Sequence, residues 1–132
     1  AEDGKAKLTV QSARADQDFA GLDAALSKAI GAPVEIERKS SHAVLTVPAD
    51  KADAARAAIK AEHPGVRIMS AGETIEIYKE VGWPTDVSDR FHLKQMSGSH
   101  AIGHTRMATE SAVTTLGAHP FSTGADQCLV HN

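Results

Sequence analysis

The sequence contains few of the features that by themselves indicate a function. Its one cysteine, Cys128, excludes an internal disulfide and any metal site built on a cysteine pair. No stretch approaches the roughly 20 apolar residues of a transmembrane helix. Neither sign of charge dominates, because the net charge is -3 and the Lys and Arg residues are scattered. Duplex binding needs a concentrated basic face. We therefore expect no membrane or nucleic-acid partner, and the cysteine content fits a cytoplasmic location.

The composition changes near residue 72. The first part is rich in Ala, Lys, Asp and Glu, which suit packed helices, whereas the second is rich in Gly, Ser, Thr and His. Five of the seven histidines lie in residues 92–131. The polar start at residues 1–5 has no signal-peptide pattern. With the abrupt end at Asn132, it leads us to expect an internal piece of a longer protein.

Residues 7–70 show an alternation of strand and helix patterns. Strands are indicated by a period of two and helices by an apolar stripe at a spacing of three or four. Asp16 or Asp18 is expected to cap the first helix and Asp50 the second. The predicted elements are a strand at 7–11, a helix with Phe19, Leu22, Leu26 and Ile30 on one face, strands at 34–39 and 43–47, a helix at 51–62 and a strand at 66–69.

This β-α-β-β-α-β order is typical of the ferredoxin-like fold, an antiparallel sheet with both helices on one face. Such folds serve as sensors, metal carriers, RNA binders and spacers, so the pattern says little about function. The strands lack RNA-stacking aromatics, and no cysteine pair is present. We expect residues 1–72 to have a structural or interface role.

The second part begins with another alternating stretch and then becomes polar. Gly82 and Pro84 interrupt the pattern, and glycine and proline also interrupt the later segments. The predicted elements are strands at 74–79, 100–104 and 127–131, a short helix at 86–91, and a polar loop at 109–126.

Three short motifs carry the chemistry of this second part. They are GHTRMAT at residues 103–109, GAHPF at 117–121 and VHN at 130–132. Taken singly, Arg106 fits a surface arginine, His119 a loop histidine and Asn132 a turn residue. Their order and spacing favour a shared site.

Together the motifs resemble the class II glutamine amidotransferases, which have an N-terminal nucleophile. The resemblance covers about residues 73–132 and is strongest to the separate amidotransferase subunit of glutamate-synthase-like and N-methylglutamate synthase systems. It implies an α+β fold, in which a partial αββα sandwich at 73–132 is preceded by a ferredoxin-like insertion at 1–72.

The resemblance also implies roles for individual residues. Arg106 would pair with the α-carboxylate of glutamine, a task suited to its planar guanidinium. Thr109 would bond the same carboxylate, and the backbone of Met107 would line the pocket. Asn132 would donate to the oxyanion formed during attack on the amide. His104 and His119 would be structural residues beside the site.

One departure from the family pattern concerns the nucleophile. The family uses a cysteine at the first residue, with its own α-amino group as the base. Residue 1 is alanine here, and Cys128 lies within a predicted strand. We therefore expect the nucleophile to lie outside these 132 residues, and the chain alone to be inactive.

The resemblance implies an activity for a parent protein. That protein would hydrolyse glutamine to glutamate and ammonia without a cofactor or metal of its own. Ammonia would pass to a partner synthase subunit containing a flavin or an iron–sulfur cluster, within a hetero-oligomer.

Two other hypotheses stay open from the sequence. The chain could be a non-catalytic regulatory module that binds an amino acid and carries a degenerate amidotransferase-like fold. Alternatively, a zinc ion could be bound by His104, His119, Cys128 and His131, whose residue types suit zinc although their spacing fits no common site.

Overall fold

A computed structural model of the chain describes residues 3–106 and 112–130. Met107, Thr109, His131 and Asn132 lie outside the described residues. In the first part, strands alternate with helices, and a short 3-10 turn at Ala49–Lys51 leads into the last helix. These elements are β1 (Lys5–Gln11), α1 (Ala15–Asp18), α2 (Leu22–Ile30), β2 (Glu35–Lys39), β3 (His42–Pro48), α3 (Ala52–Glu62) and β4 (Arg67–Gly72).

The four strands form one sheet in the order β2-β3-β1-β4. Every neighbouring pair is antiparallel. Leu8 of β1 lies opposite Leu45 of β3, and a register shift between Thr9 and Val10 marks a bulge against β4. The two non-local pairings of β1 place the first strand at the centre of the sheet.

One face of the sheet packs against α2 and α3. Leu8 and Leu45 from the sheet, Leu26 from α2 and Ile59 from α3 are fully buried in this core. Burial of each large aliphatic side chain contributes about 1.5–3 kcal/mol relative to exposure. The apolar stripes that predicted these helices therefore form the main core.

Most predicted elements of the first part are confirmed, but two details are wrong. The predicted first helix is divided into α1 and α2, because Gly21 adopts a left-handed φ of 69° between them. No side-chain cap bonds any helix start in this part. Asp18 instead accepts a hydrogen bond from the hydroxyl of Ser12, and Asp16 pairs with Arg38.

The second part begins with a segment, residues 74–79, that was predicted as a strand and is not one. It lies against the sheet face opposite the helices, where Lys7 donates to Glu76 over 2.9 Å. Its backbone N–H groups bond side chains: those of Thr74 and Ile75 donate to Asp126, and that of Lys79 donates to His42. These N–H groups bond side chains and not a neighbouring strand. The alternating pattern was therefore not sufficient to predict a strand.

The remaining elements are short. The predicted helix is confirmed as α4 (Pro84–Arg90), followed by a 3-10 turn at Leu93–Gln95. Residues 100–104 form no strand. The last two strands, β5 (Phe121–Gly124) and β6 (Gln127–Leu129), form a hairpin. The predicted loop at 109–126 therefore contains a strand, since Phe121 pairs with Leu129 despite the nearby breakers.

Candidate functional site

Three of the six predicted site residues lie in the described part of the chain. These are His104, Arg106 and His119. The predictions for Met107, Thr109 and Asn132 fall on residues outside it.

The structure brings the two predicted structural histidines together. The rings of His104 and His119 stack with centroids 4.3 Å apart and an interplanar angle of 19°. Phe121 packs with its ring edge-on to His119, at 4.7 Å. The first two sequence motifs are therefore neighbours in space.

A second contact between these motifs involves Arg106. Its Nη1 donates to the carbonyl oxygen of Gly117 over 3.1 Å. A Cβ atom on residue 117 would lie 2.9 Å from that nitrogen, so the guanidinium approaches closely because residue 117 is glycine. Arg106 itself is exposed at the surface of the protein.

Lys79 also bonds the loop that contains Gly117. Its ammonium donates to the carbonyl oxygens of Leu116, over 3.3 Å, and Ala118, over 3.2 Å. The same nitrogen lies 4.5 Å from the centroid of the Phe121 ring, a cation–π distance. Lys79 is only 8% exposed, and burial lowers the pKa of its ammonium.

Glu80 makes a parallel set of contacts. Its carboxylate accepts hydrogen bonds from the hydroxyls of Thr115 and Ser41, and Arg90 lies 3.6 Å away. Burial by itself would raise the pKa of this carboxyl. The hydrogen bonds, together with Arg90, outweigh burial and hold the pKa below its ordinary value. Glu80 thus links the loop to the turn between β2 and β3.

His42 at the start of β3 completes this link. Its ring is fully buried, with Nε2 accepting the backbone N–H of Lys79 over 3.4 Å. Phe91 packs edge-on at 4.7 Å, and Tyr78 lies at 5.8 Å. Burial lowers the pKa of His42 to about 4, with Glu80 opposing the shift and Lys79 adding to it. The imidazole is therefore neutral near pH 7, as its acceptor role requires.

Asp126, in the turn of the β5–β6 hairpin, links the hairpin to the sheet, since its backbone N–H donates to the carbonyl oxygen of Ala71 in β4 over 3.0 Å. Its carboxylate accepts from the backbone N–H groups of Glu73, Thr74 and Ile75 over 2.8–3.0 Å. These bonds, led by that from Glu73, lower the pKa of Asp126 to about 2. A Cβ on Gly72 would lie 2.3 Å from the carboxylate, so this approach depends on glycine.

Sequence reasoning missed Lys79, Glu80, His42 and Asp126. Lys79 ends the segment that was interpreted as a strand, and Glu80 follows it. Each is a charged or polar residue whose partners are distant in the sequence. No local spacing signal identifies such residues.

An open cleft of about 1770 Å³ is lined by Arg106, His104, His119 and Lys79, among others. Closed small-molecule pockets usually measure about 300–1,000 Å³. The cleft is therefore wider than one amino acid requires. It can present Arg106 to a ligand carboxylate, but it does not enclose that ligand on all sides.

The zinc hypothesis gains no support from the described part of the chain. Within residues 3–106 and 112–130, no three His, Cys, Asp or Glu side chains come together as a metal site. His131, the fourth residue of that hypothesis, lies outside these ranges. In the same ranges, no helix is long and apolar enough to span a membrane.

The chain is similar to several curated proteins. It is 60% identical over all 132 residues to the glutamine amidotransferase-like protein GlxB of Rhizobium meliloti. A putative glutamine amidotransferase of Methanothermobacter thermautotrophicus is 39% identical over 69 residues, 51% of this chain and 23% of that protein. The glutamine–fructose-6-phosphate aminotransferase of Methanococcus maripaludis is 33% identical over 66 residues, 49% of this chain and 11% of that protein.

The names of these relatives support a relationship between this chain and the class II glutamine amidotransferases. The chain spans 44% of the length of the Rhizobium meliloti relative and less of the other two. No family model matches the chain. No solved structure matches it either.

Proposed function

We propose that this chain is part of an amidotransferase subunit that hydrolyses glutamine to glutamate and ammonia. The ammonia would pass to a partner such as glutamate synthase or N-methylglutamate synthase. The observation that carries the proposal is the contact between Arg106 and Gly117. It joins two of the three motifs on which the resemblance rests, beside an open cleft.

The proposed chemistry divides between this chain and a cysteine outside it. The thiolate of that cysteine would attack the side-chain amide carbon of glutamine and give a tetrahedral oxyanion. Loss of ammonia would leave a thioester, and water would then release glutamate and the thiol. Asn132 would donate to the oxyanion, an interaction typically worth about 2.7–4 kcal/mol of barrier.

Substrate recognition would belong to Arg106, Thr109 and the backbone of Met107. A guanidinium can bond a carboxylate through two parallel N–H donors. The exposed position of Arg106 beside the cleft supports this role. The stacked pair of His104 and His119 would shape the wall next to it.

We further propose the two-region architecture implied by the resemblance: a ferredoxin-like insertion at 1–72 and a partial αββα sandwich at 73–132. The strand order β2-β3-β1-β4 and the two core helices support the first region. Support for the second comes from its exposed apolar side chains, which further polypeptide would cover. They are Val81, Trp83, Leu93, Ile102, Val113, Leu116, Phe121 and Leu129.

A glutaminase assay on the full-length protein tests the proposal. Arg106→Ala should raise the KM for glutamine about ten- to hundredfold, because one charge-assisted contact is worth about 1.5–3 kcal/mol. Arg67→Ala removes an exposed arginine of β4 and should leave both kinetic constants unchanged. The proposal is wrong if the full-length protein lacks glutaminase activity.

A binding experiment distinguishes the regulatory alternative from the catalytic proposal. Calorimetry would be run with glutamine and other amino acids on wild type and Arg106→Ala. Amino-acid binding that survives the substitution and perturbs residues 5–72, without turnover in the wild type, would favour a sensing module. Loss of glutamine binding together with loss of turnover would favour the catalytic role.

A further inference from the structure

Three consecutive carbonyl groups of the loop at residues 116–118 accept hydrogen bonds from two cationic side chains. The ammonium of Lys79 bonds the carbonyls of Leu116 and Ala118. Arg106 bonds the carbonyl between them, on Gly117. The acceptor used by Arg106 is therefore flanked on both sides by peptide groups that Lys79 holds.

This arrangement matters because Gly117 has wide backbone freedom. Glycine has no side chain whose packing could fix the direction of the carbonyl group. The peptide group that carries the Gly117 oxygen is held through the N–H of Ala118, which donates to the carbonyl of Thr115 over 3.3 Å. The two bonds from Lys79 restrict the peptide groups on either side and so add to the forces that orient the Gly117 oxygen. The bond to that oxygen is one contact that constrains the direction of the Arg106 guanidinium.

Lys79 is itself held in place from the sheet. Its backbone N–H donates to Nε2 of the buried His42, and its ammonium lies over the ring of Phe121. Within the described ranges, no carboxylate comes within 4.0 Å of the ammonium. Lys79 as a residue is 8% exposed, and burying its charge costs free energy that the bonds to the two carbonyls offset in part.

We propose that Lys79 is a positioning residue that orients Arg106 toward the α-carboxylate of the substrate. The inference rests on the proposed function, since it deepens the account of the same site. In this role Lys79 makes no direct contact with the substrate. It acts through the loop at residues 116–118. Glu80 bonds the residue just before this loop, Thr115.

The test uses the full-length protein and two substrates, L-glutamine and its α-carboxamide, in which the α-carboxylate is replaced by a neutral amide. Lys79→Met keeps most of the side-chain volume and removes both bonds. Without a fixed Arg106, the KM for glutamine should rise about tenfold, since hydrogen bonds from charged groups are worth roughly that factor or more. The kcat should change by less than about twofold, because the reacting amide is not touched.

The preference for glutamine over its α-carboxamide distinguishes a positioning role from a general structural role. A loss of general structure would affect both substrates alike. In Lys79→Met the preference for glutamine over the α-carboxamide should fall by the same tenfold factor. Adding Lys79→Met to Arg106→Ala should cause no further loss, because both act through one contact. Lys79→Arg, which keeps a cation and its donors, should restore most of the preference. Lys60→Met, at an exposed position of α3, is the matched control.

A second measurement is independent of turnover. Relaxation of the Nε–Hε group of Arg106 in protein with 15N-labelled arginine reports its mobility on the ps–ns timescale. Greater mobility of Arg106 in Lys79→Met, but not in Lys60→Met, supports the positioning role of Lys79 without a measurement of turnover. Unchanged mobility together with an unchanged substrate preference overturns it. If Arg106→Ala raises the KM and Lys79→Met does not, the inference fails while the proposed function stands.

Discussion

The large apolar side chains of residues 5–72 are mostly buried, whereas many of those in residues 73–106 and 112–130 are exposed. In the first region the large aliphatic residues of the sheet and helices are buried in a shared core. In the second, Trp83 is 76% exposed and Leu129 is 52% exposed, and the buried ring of Phe91 packs against His42 of the first region. The difference teaches that the first region supplies its own packing partners, whereas the second takes its order from the sheet it lies on.

The largest expected effect comes from a pair of leucine-to-alanine substitutions, one in each region. In the full-length protein, Leu26→Ala should lower the free energy of unfolding by about 3 kcal/mol, because it leaves a cavity in a fully buried core. In the 132-residue chain, Leu129→Ala should change it by less than about 0.5 kcal/mol, since that side chain is half exposed. Urea titration measures both.

Measuring Leu129→Ala in the full-length protein as well shows whether that side chain is covered there. A loss of several kcal/mol for Leu129→Ala in the full-length protein, with almost none in the 132-residue chain, would show that further polypeptide covers the second region. Equal small effects in both would remove the support that the exposed side chains give to the proposed sandwich.

The junction of the two regions predicts a pH dependence. His42 binds a proton near pH 6.5 when unfolded, but at about pH 4 when folded, so the unfolded state binds more protons between these values. Stability should therefore fall by about 1.5 kcal/mol as the pH drops from 6.5 to 5. The measurement is urea unfolding of the full-length protein at several pH values.

His42→Gln is the matched control for that slope. Glutamine keeps an acceptor for the backbone N–H of Lys79 but does not titrate. The difference in stability between wild type and variant should vary across pH 5–6.5. Both Glu80 and Lys79, the charged groups that face His42, are retained in each protein. A constant difference would show that His42 does not couple the two regions through its neutral ring.

A smaller effect is expected at the hairpin. Asp126→Ala removes the acceptor of three backbone N–H groups, and these groups are exposed enough for water to replace part of the loss. The free energy of unfolding should fall by about 1 kcal/mol, as for loss of a helix cap. Asp126→Asn, which keeps one carbonyl acceptor, should lose less. Thermal unfolding of both variants measures the difference, and equal losses would contradict the role of these bonds.

Prediction from sequence succeeded where each element carries its own periodic signal. The stripe through Leu22, Leu26 and Ile30 indicated α2, and alternation around Leu8 and Leu45 indicated β1 and β3. It was wrong at residues 74–79, where an alternating pattern is satisfied by side-chain acceptors and by burial against the sheet. The division into two domains and the name of the fold stay predictions.

For the candidate site, the motifs pointed to Arg106, His104 and His119, and the structure shows that they lie close together. Their catalytic and binding roles stay predictions, as do those of Met107, Thr109 and Asn132. The residues that hold the loop, Lys79 and Glu80, carry no local signal of that task, so sequence reasoning passed over them.

The sequence by itself determined the helices and strands of the first region and the three motifs of the second. Both can be recognised from residues that lie close together in the sequence, because local structure depends on such short spacings. Only the tertiary structure decided that Lys79 flanks the acceptor of Arg106, and that His42 and Asp126 hold the second region on the sheet. Those contacts join residues at least 37 positions apart, and only chain folding brings such residues within hydrogen-bonding distance.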